Sequence, residues 1–329
     1  MRKDVLWRWS KAILSWSLAL ALIVALVYGL REEREKLWEL VTISARHVVF
    51  LAGLYVLLSL LGGLNRKFMA RQLGVRLSFL DWYGFLVLTN LISLVVPARG
   101  DLLVSAAYLR RKYSLPVAHF ASMVYGNAVL LAGVLGVEGC LGLLLLGLFD
   151  GVWNMAVWAI VLLAGAAAVP LALMSKSVLK GDLWLVQKLR MALEGWEVLR
   201  SNRRLLTGLA FLLVAGSVCF TAWMYVSYAA LGFRVRLLPA FFAGISAQLS
   251  FFLSLTPGNL GLREIMVGFV SQVTGLGFAE GVAVTVLQRG VSTAVQLVLG
   301  GAFSPFIVRS LVDARRAAHM GAEKDSRRG

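Results

Sequence analysis

An all-α, multi-spanning membrane protein is the fold class this sequence predicts, with about six transmembrane helices and two re-entrant hairpins in an inverted repeat. Three observations predict it. Of the 329 residues, 59% are hydrophobic and only 15% are charged, against about 25% charged in a soluble domain. Uncharged runs long enough to cross a hydrocarbon core of about 30 Å as a helix recur along the chain. The basic residues collect in the short gaps between those runs. Together these exclude a soluble enzyme with a conventional cleft, and they exclude a disordered chain. A net charge of +16 on a soluble protein points to nucleic acid. Clustered beside apolar spans, it points instead to an anionic lipid surface, with no nucleic-acid partner.

The spans follow in order. Ala12 to Leu30 carries no charge, is preceded by Arg2, Lys3, Arg8 and Lys11, and is followed by Arg31, Glu32 and Glu33. No small-residue cleavage site follows it, so it reads as a retained helix rather than a signal peptide. Val48 to Leu64 is the next span; residues 151–175, Leu205 to Phe233 and Gly290 to Val308 are further clean runs. Three apolar stretches are interrupted: Trp82 to Ala98, Ser114 to Phe149 with Glu138 inside, and Leu237 to Ala279 with Arg263 and Glu264 inside. Residues 184–199 place Trp184, Leu185, Leu189, Leu193, Trp196 and Leu199 at spacings that are mostly three and four. That pattern fits a helix on the cytoplasmic surface with its tryptophans at headgroup level, and equally a helix packed on the protein.

The excess of Lys and Arg orients the spans. The N-terminal tail, residues 65–76, residues 176–204 and the tail 310–329 are all strongly basic and belong in the cytoplasm of a cell whose inner membrane holds the chain. Residues 31–47 balance four basic against four acidic residues, and Asp150 stands alone; both suit the outside. Parity then requires Trp82–Ala98 to dip in and return with its tip near Pro97, and Leu237–Ala279 to do the same at Pro257. The domain plan is one membrane unit. It comprises a first helix 12–30, a half-repeat 48–149, a linking helix 151–175, an amphipathic loop 176–204, a second half-repeat 205–309 and a basic tail 310–329.

The two interrupted regions share a pattern. Ser93-Leu94, Pro97, Arg99 and Asp101 in the first match Ser254-Leu255, Pro257, Arg263 and Glu264 in the second. Asn127 follows Pro97 at nearly the distance at which Arg289 follows Pro257. Halves of opposite orientation whose broken segments meet near the midplane are a transporter architecture. Pro257-Gly258-Asn259-Leu260-Gly261 has no place against lipid, because non-helical backbone there needs protein or water to satisfy it. A helix beginning at such a break offers free N–H groups to an anion. Charges in the apolar mass each cost roughly 2.5–3.5 kcal/mol at a bilayer centre on insertion scales. They serve either as internal pairs, Arg99 with Asp101 and Arg263 with Glu264, or as a ligand site. Glu138 stands in a row of glycines, Gly133, Gly136, Gly139 and Gly142, which fits close helix contact better than a site. The candidate binding residues are Arg99, Asp101, Asn127, Glu138, Asn259, Arg263, Glu264 and Arg289. There is no metal-ligand spacing, no Walker loop and no nucleophile motif, so no catalytic residue, metal or cofactor is expected.

Thr89-Asn90 through Pro97, Arg99, Gly100 and Asp101, with Thr256-Pro257-Gly258-Asn259-Leu260-Gly261-Leu262-Arg263-Glu264 and Gln288-Arg289, resembles the lysylphosphatidylglycerol synthase transmembrane region, also called flippase-like. The resemblance covers roughly residues 12–309. It implies translocation of a charged phospholipid, with a possible lipid-modifying enzyme as partner. The residues given hold no segment for a synthase domain, so aminoacylation is not implied. Relatives commonly carry an Arg, with an Asp a few residues on, where this chain has Asn127 and Leu130. Two rival functions use the same features. One is secondary transport of a small soluble anion. The other is a non-catalytic subunit for a lipid-modifying or glycosyl-transferring enzyme.

The orientation is directly testable. In a Cys140→Ala, Cys219→Ala background, single cysteines replace Thr42 and Ser177. An impermeant thiol reagent on intact cells labels position 42 and spares position 177; the opposite pattern overturns the orientation.

Overall fold

In the computed structural model, residues 43–95, 100–151, 184–253 and 256–326 are described, together with scattered positions between 153 and 174. The expected first helix 12–30 and the residues Pro97 and Arg99 lie outside them. The described residues are helical, with no strand among them. Helix α1 is Ala45–Gln72. A π-helical turn, Leu80–Gly84, leads into α2, Phe85–Val95. Then come α3 (Gly100–Tyr113), α4 (Val117–Asp150) and α5 (Trp184–Ser201). The remainder is α6 (Arg203–Ala230), α7 (Leu237–Leu249), α8 (Leu262–Val273) and α9 (Phe278–Ser326).

Four helices among these are long and apolar enough to cross a membrane: Ala45–Gln72, Val117–Phe149, Arg203–Ala230 and Phe278–Ser310. Leu80–Leu94 and Leu237–Phe252 are apolar but too short. So a long helix, two short helices and a long helix occur in sequence, and after α5 the same order recurs. The helices outrun the clean apolar runs that predict them. α1 continues through Arg66, Lys67 and Arg71, and α9 continues past Arg309 into the basic tail. Lys and Arg are good helix formers whose stems lie along apolar surface while the charge reaches water, so a charge ends an apolar run without ending a helix. Of the linking helix 151–175 only scattered positions are described.

Lipid exposure is visible in the packing. Phe50, Leu148, Phe211 and Val298, one from each long helix, lie open on the surface. A soluble fold does not present such faces to its solvent. The interior divides into two large apolar clusters. One joins Met69, Trp82, Phe85, Tyr108, Met123, Trp196, Leu199 and Ile307. The other joins Leu51, Phe220, Trp223, Met224, Tyr228, Val267 and Val284. α1 packs on α6, α9 on α2, and α7 on α4, so each half's short first helix lies against the other half's last helix. α5 takes the second of its two expected forms. It packs on α4, with Leu193, Trp196 and Leu199 buried and Trp196 edge-on to Tyr125. Trp196 is therefore core rather than a headgroup anchor. Three of the four glycines in the row also pack: a Cβ at Gly136 would lie 2.6 Å from the Gly165 backbone, at Gly139 2.5 Å from Val161, and at Gly142 2.6 Å from Phe241.

One buried carboxylate ties the first broken region to α9. Asp81 is 1% exposed and accepts from Ser78, Tyr108, Tyr113 and, at 2.6 Å, Lys112. Lys112 also donates to Ser310 on α9. A buried carboxylate with four donors is stable only while all are present, and breaking a buried pair typically costs about 3–5 kcal/mol. Asp81→Ala is expected to lower the melting temperature in detergent strongly. Asp81→Ala with Lys112→Met should recover part of it, because the second change removes the stranded cation; equal melting of the two variants would exclude the clasp.

Candidate binding site between the broken helices

The second break is built from backbone that only particular residues allow. Gly258 and Asn259 have φ of 56° and 57°, and Gly261 has φ of 83°. These are left-handed values that glycine adopts freely and Asn tolerates. Thr256 Oγ1 donates to the Leu260 carbonyl at 2.8 Å and closes the turn. α8 then starts at Leu262. The Glu264 carboxylate reaches back one turn to accept from the Gly261 N–H at 2.8 Å, half of a capping box.

Arg289 holds this turn from α9. Its Nη2 and Nε donate to Glu264 Oε1 at 2.6 and 3.1 Å. Its Nη1 donates to the Gly258 carbonyl at 2.8 Å, and Nη2 also faces the Asn259 carbonyl at 3.5 Å. Of the two alternatives for Arg263, the internal pair with Glu264 therefore does not form; the partner of Glu264 is Arg289. Neighbours on a helix diverge by about 100°, so adjacent Arg263 and Glu264 face different sides, whereas an arginine on a facing helix reaches the acid end-on.

Arg263 occupies a different environment. It is 8% exposed, and its guanidinium lies 5.7 Å from the ring centres of both Phe220 and Trp223. Nη2 donates to Gln288 Oε1, and Gln288 Nε2 in turn donates to Ser227 Oγ at 3.1 Å. Its Nε is buried without a partner. No carboxylate among the described residues lies within ion-pairing distance of it.

Arg263 lines a cavity of about 430 Å³ between α1, α2, α6, the turn at 256–259 and α9. Tyr55, Asn90, Ser93, Asp101, Asn259, Arg289 and Gln296 share its wall. Gln296 Nε2 donates to the Tyr55 hydroxyl, and Asn259 Nδ2 donates to Ser250 Oγ at 2.7 Å. The carbonyl oxygens of both amides, Gln296 Oε1 and Asn259 Oδ1, are buried without partners. Three residues of the lining, Arg263, Asn259 and Gln296, thus each carry one buried polar atom without a partner. Buried polar atoms are nearly always satisfied in folded proteins, so three orphans on one wall indicate a polar guest or water. A volume of this size lies in the range of ordinary ligand sites.

Five of the eight candidate residues meet here: Asp101, Asn259, Arg263 and Arg289 on the wall, with Glu264 behind Arg289. Arg99 lies outside the described residues. Asn127 and Glu138 are elsewhere. Asn127 accepts from Asn65 Nδ2 at 2.8 Å, and Glu138 accepts from Ser217 Oγ at 2.5 Å, joining α4 to α6. Sequence reasoning missed Tyr55, Gln296, Phe220 and Trp223. A scan for charges passes over them. Tyr55 and Gln296 were detectable as polar side chains within apolar runs; for the two aromatics no local signal existed.

The model of the lysylphosphatidylglycerol synthase TM region family matches residues 11–300. The chain belongs to that family. No curated protein and no solved structure matches it significantly. As a member of the family, with four described helices able to span a bilayer, it is a multi-pass membrane protein of lipid metabolism or transport. The family's match spans both broken regions, so the cavity between them belongs to the family's shared part.

The ion pair predicts a stability effect separable from ligand binding. Glu264→Gln removes the charge that Arg289 needs and is expected to destabilise the purified protein by about 3 kcal/mol, read as a drop in its melting temperature. Arg263→Lys, which breaks no ion pair, should melt close to wild type. Equal melting of Glu264→Gln and wild type would mean that the pair does not hold the turn.

Proposed function

We propose that the protein moves an anionic or zwitterionic phospholipid, aminoacylated and lipid-linked forms included, between the leaflets of the cell's inner membrane. It does so without catalysis, as a flippase-like transporter. The observation that carries this reading is Arg263: a buried guanidinium without a carboxylate partner, facing a polar cavity between two broken helices. Arg263 binds the headgroup phosphate, for which the planar fork of donors is suited. Asn259 and Gln296 accept from headgroup hydroxyl or ammonium groups. Arg289 and Glu264 keep the turn rigid, and Asp101, with Arg99, contributes from the first half. Asn127 and Glu138 serve helix contacts and take a lesser part.

The recurring order of long, short, short and long helices supports an inverted repeat. In it the short helices, 80–113 and 237–273, are re-entrant hairpins whose tips meet at the cavity. With the helices at 12–30 and 151–175 the chain makes six crossings, and the basic gaps put both termini in the cytoplasm. Alternating access about a fixed midplane site then follows from rocking of one half against the other. The cavity suits a headgroup rather than a whole lipid, which agrees with acyl chains remaining in the bilayer during transfer.

The test is translocation of fluorescent phosphatidylglycerol in proteoliposomes. A charged hydrogen bond to a buried group is worth roughly 1.5–3 kcal/mol. Arg263→Lys, which keeps the charge and loses the fork, is therefore expected to slow flipping about tenfold or more, and Asn127→Ala to change it little. Unchanged flipping in Arg263→Lys overturns the assignment. Uptake of a soluble anion in place of lipid flipping would establish the rival transport function.

A further inference from the structure

Two neighbouring residues of α8 each meet a neighbouring residue of α9. Glu264 pairs with Arg289, charge against charge. Beside it, Arg263 Nη2 donates to Gln288 Oε1, charge against a neutral amide. Glutamate has the length and shape of glutamine, and Gln288 Oε1 already touches the guanidinium. An acid at this position would therefore form a second buried ion pair without any movement of the helices. Its absence is a matter of residue choice, not of geometry. The choice is unfavourable for the fold alone, because a buried cation is ordinarily matched by an acid.

The Gln288 amide has one possible direction. Ser227 Oγ donates to the Trp223 carbonyl at 2.7 Å, one turn back along α6. Its single hydrogen is thereby engaged, and only its lone pairs remain. Gln288 Nε2 donates to those lone pairs at 3.1 Å and also faces Met224 Sδ at 3.3 Å. Oε1 is left toward Arg263, as an acceptor. A reversed amide would set N–H against N–H at Arg263 and oxygen against oxygen at Ser227. Ser227, Met224 and Gln288 are fully buried. Trp223, at the start of this chain, also lends its ring to the guanidinium. Gln288 itself is not on the wall of the central cavity, whereas Arg263 is.

We infer that Gln288 is a positioning residue that sets the charge requirement of the central cavity. It holds Arg263 by a neutral acceptor and leaves a positive charge on the wall, which an anionic group of the ligand completes. That group is a phosphate or phosphodiester, carried by a lipid headgroup or free in solution. Gln288 acts through Arg263 and does not touch the ligand. An acid at position 288 would repeat the Glu264–Arg289 pair beside it and close the cavity to anions. The inference rests on Arg263 as the phosphate ligand, and it adds the residue that keeps that arginine open.

The test measures binding of dihexanoylphosphatidylglycerol and of glycerol phosphate to the full chain in detergent by calorimetry, with the melting temperature of each variant. Gln288→Glu should bind the lipid about tenfold more weakly or worse, the factor for loss of one charged hydrogen bond. It should melt no lower than wild type, because the buried cation gains its acid. Gln288→Met, similar in length and uncharged, should melt lower yet lose at most about threefold in affinity, the low end for a neutral hydrogen bond. A merely structural Gln288 gives the reverse order, with binding following stability. Wild-type affinity or a lowered melting temperature in Gln288→Glu overturns the inference, as does a loss in Gln288→Met equal to that in Gln288→Glu. Arg263→Lys separates the two readings. Weakened binding there, with unchanged binding in Gln288→Glu, overturns the role of Gln288 alone. Wild-type affinity in Arg263→Lys, or no binding by the wild type, overturns the phosphate assignment on which it rests. Glycerol phosphate that binds as tightly as the lipid, with the same dependence on position 288, upholds the role of Gln288 and makes the ligand a soluble anion.

Discussion

A stretch of non-helical backbone sits in the middle of an apolar protein, and its carbonyls must be satisfied by protein groups or by the cavity it lines. From Thr256 to Gly261 the chain makes a turn with three left-handed residues; backbone N–H groups reach the Thr256 and Gly261 carbonyls, and the Gly258 carbonyl needs another donor. Arg289 supplies it. Its fork covers the Gly258 carbonyl, reaches toward that of Asn259 and neutralises Glu264, whose other oxygen takes the Gly261 N–H. Backbone polarity and buried charge are thereby resolved by one another. An ammonium at position 289 would meet the carboxylate but not both ends of the turn, since it lacks the fixed fork.

This arrangement separates two arginines that look equivalent in sequence. Arg289 is saturated by protein. Arg263 is held by packing: two aromatic faces and a neutral amide fix its position and leave the charge uncompensated. A guanidinium is weakly hydrated and stacks on rings, so this is the cation that survives such burial at least cost. A neutral partner is also what keeps it available, because a carboxylate in place of Gln288 would close the pair and occupy the donors. Positioning by aromatics and Gln288, rather than by an acid, makes Arg263 a potential ligand group and Arg289 a structural one.

Much of this was legible in the sequence. The long helices were visible as uncharged runs, and the breaks as Pro-Gly clusters inside apolar stretches. The convergence of Asp101, Asn259, Arg263, Glu264 and Arg289 followed from the requirement that broken backbone and charge share one wet place. What was not legible depended on direction rather than composition. Adjacent Arg263 and Glu264 invite a pairing that helix geometry forbids, and Asn127, matched to Arg289 by spacing, instead bonds Asn65. Helix ends were misread wherever basic residues were taken as boundaries, as at Arg66 and Arg309. Trp196 has the spacing of an interfacial anchor, yet it is buried because Gly126 leaves room for its ring against α4.

The glycines of α4 show how one residue type carries two meanings in a membrane helix. With no hydrophobic drive between helices in lipid, close contact has to come from small residues, and Gly136 facing Gly165 is such a contact. There the missing side chain is replaced by another backbone. At Gly133, which lines a hollow along α4, it is replaced by nothing among the described residues. In water such a hollow would be a defect that neighbouring side chains collapse to fill. In a bilayer the solvent is itself made of chains about as wide as the groove, so a smooth apolar channel along a helix is filled from outside at little loss of contact. An apolar hollow on a soluble surface signals a missing partner, whereas in a membrane protein its meaning depends on its ends. A uniformly apolar hollow selects nothing, whereas the one along α4 carries Glu138, Glu197, Arg200 and Arg203 on its lining and adds polar groups to a shape.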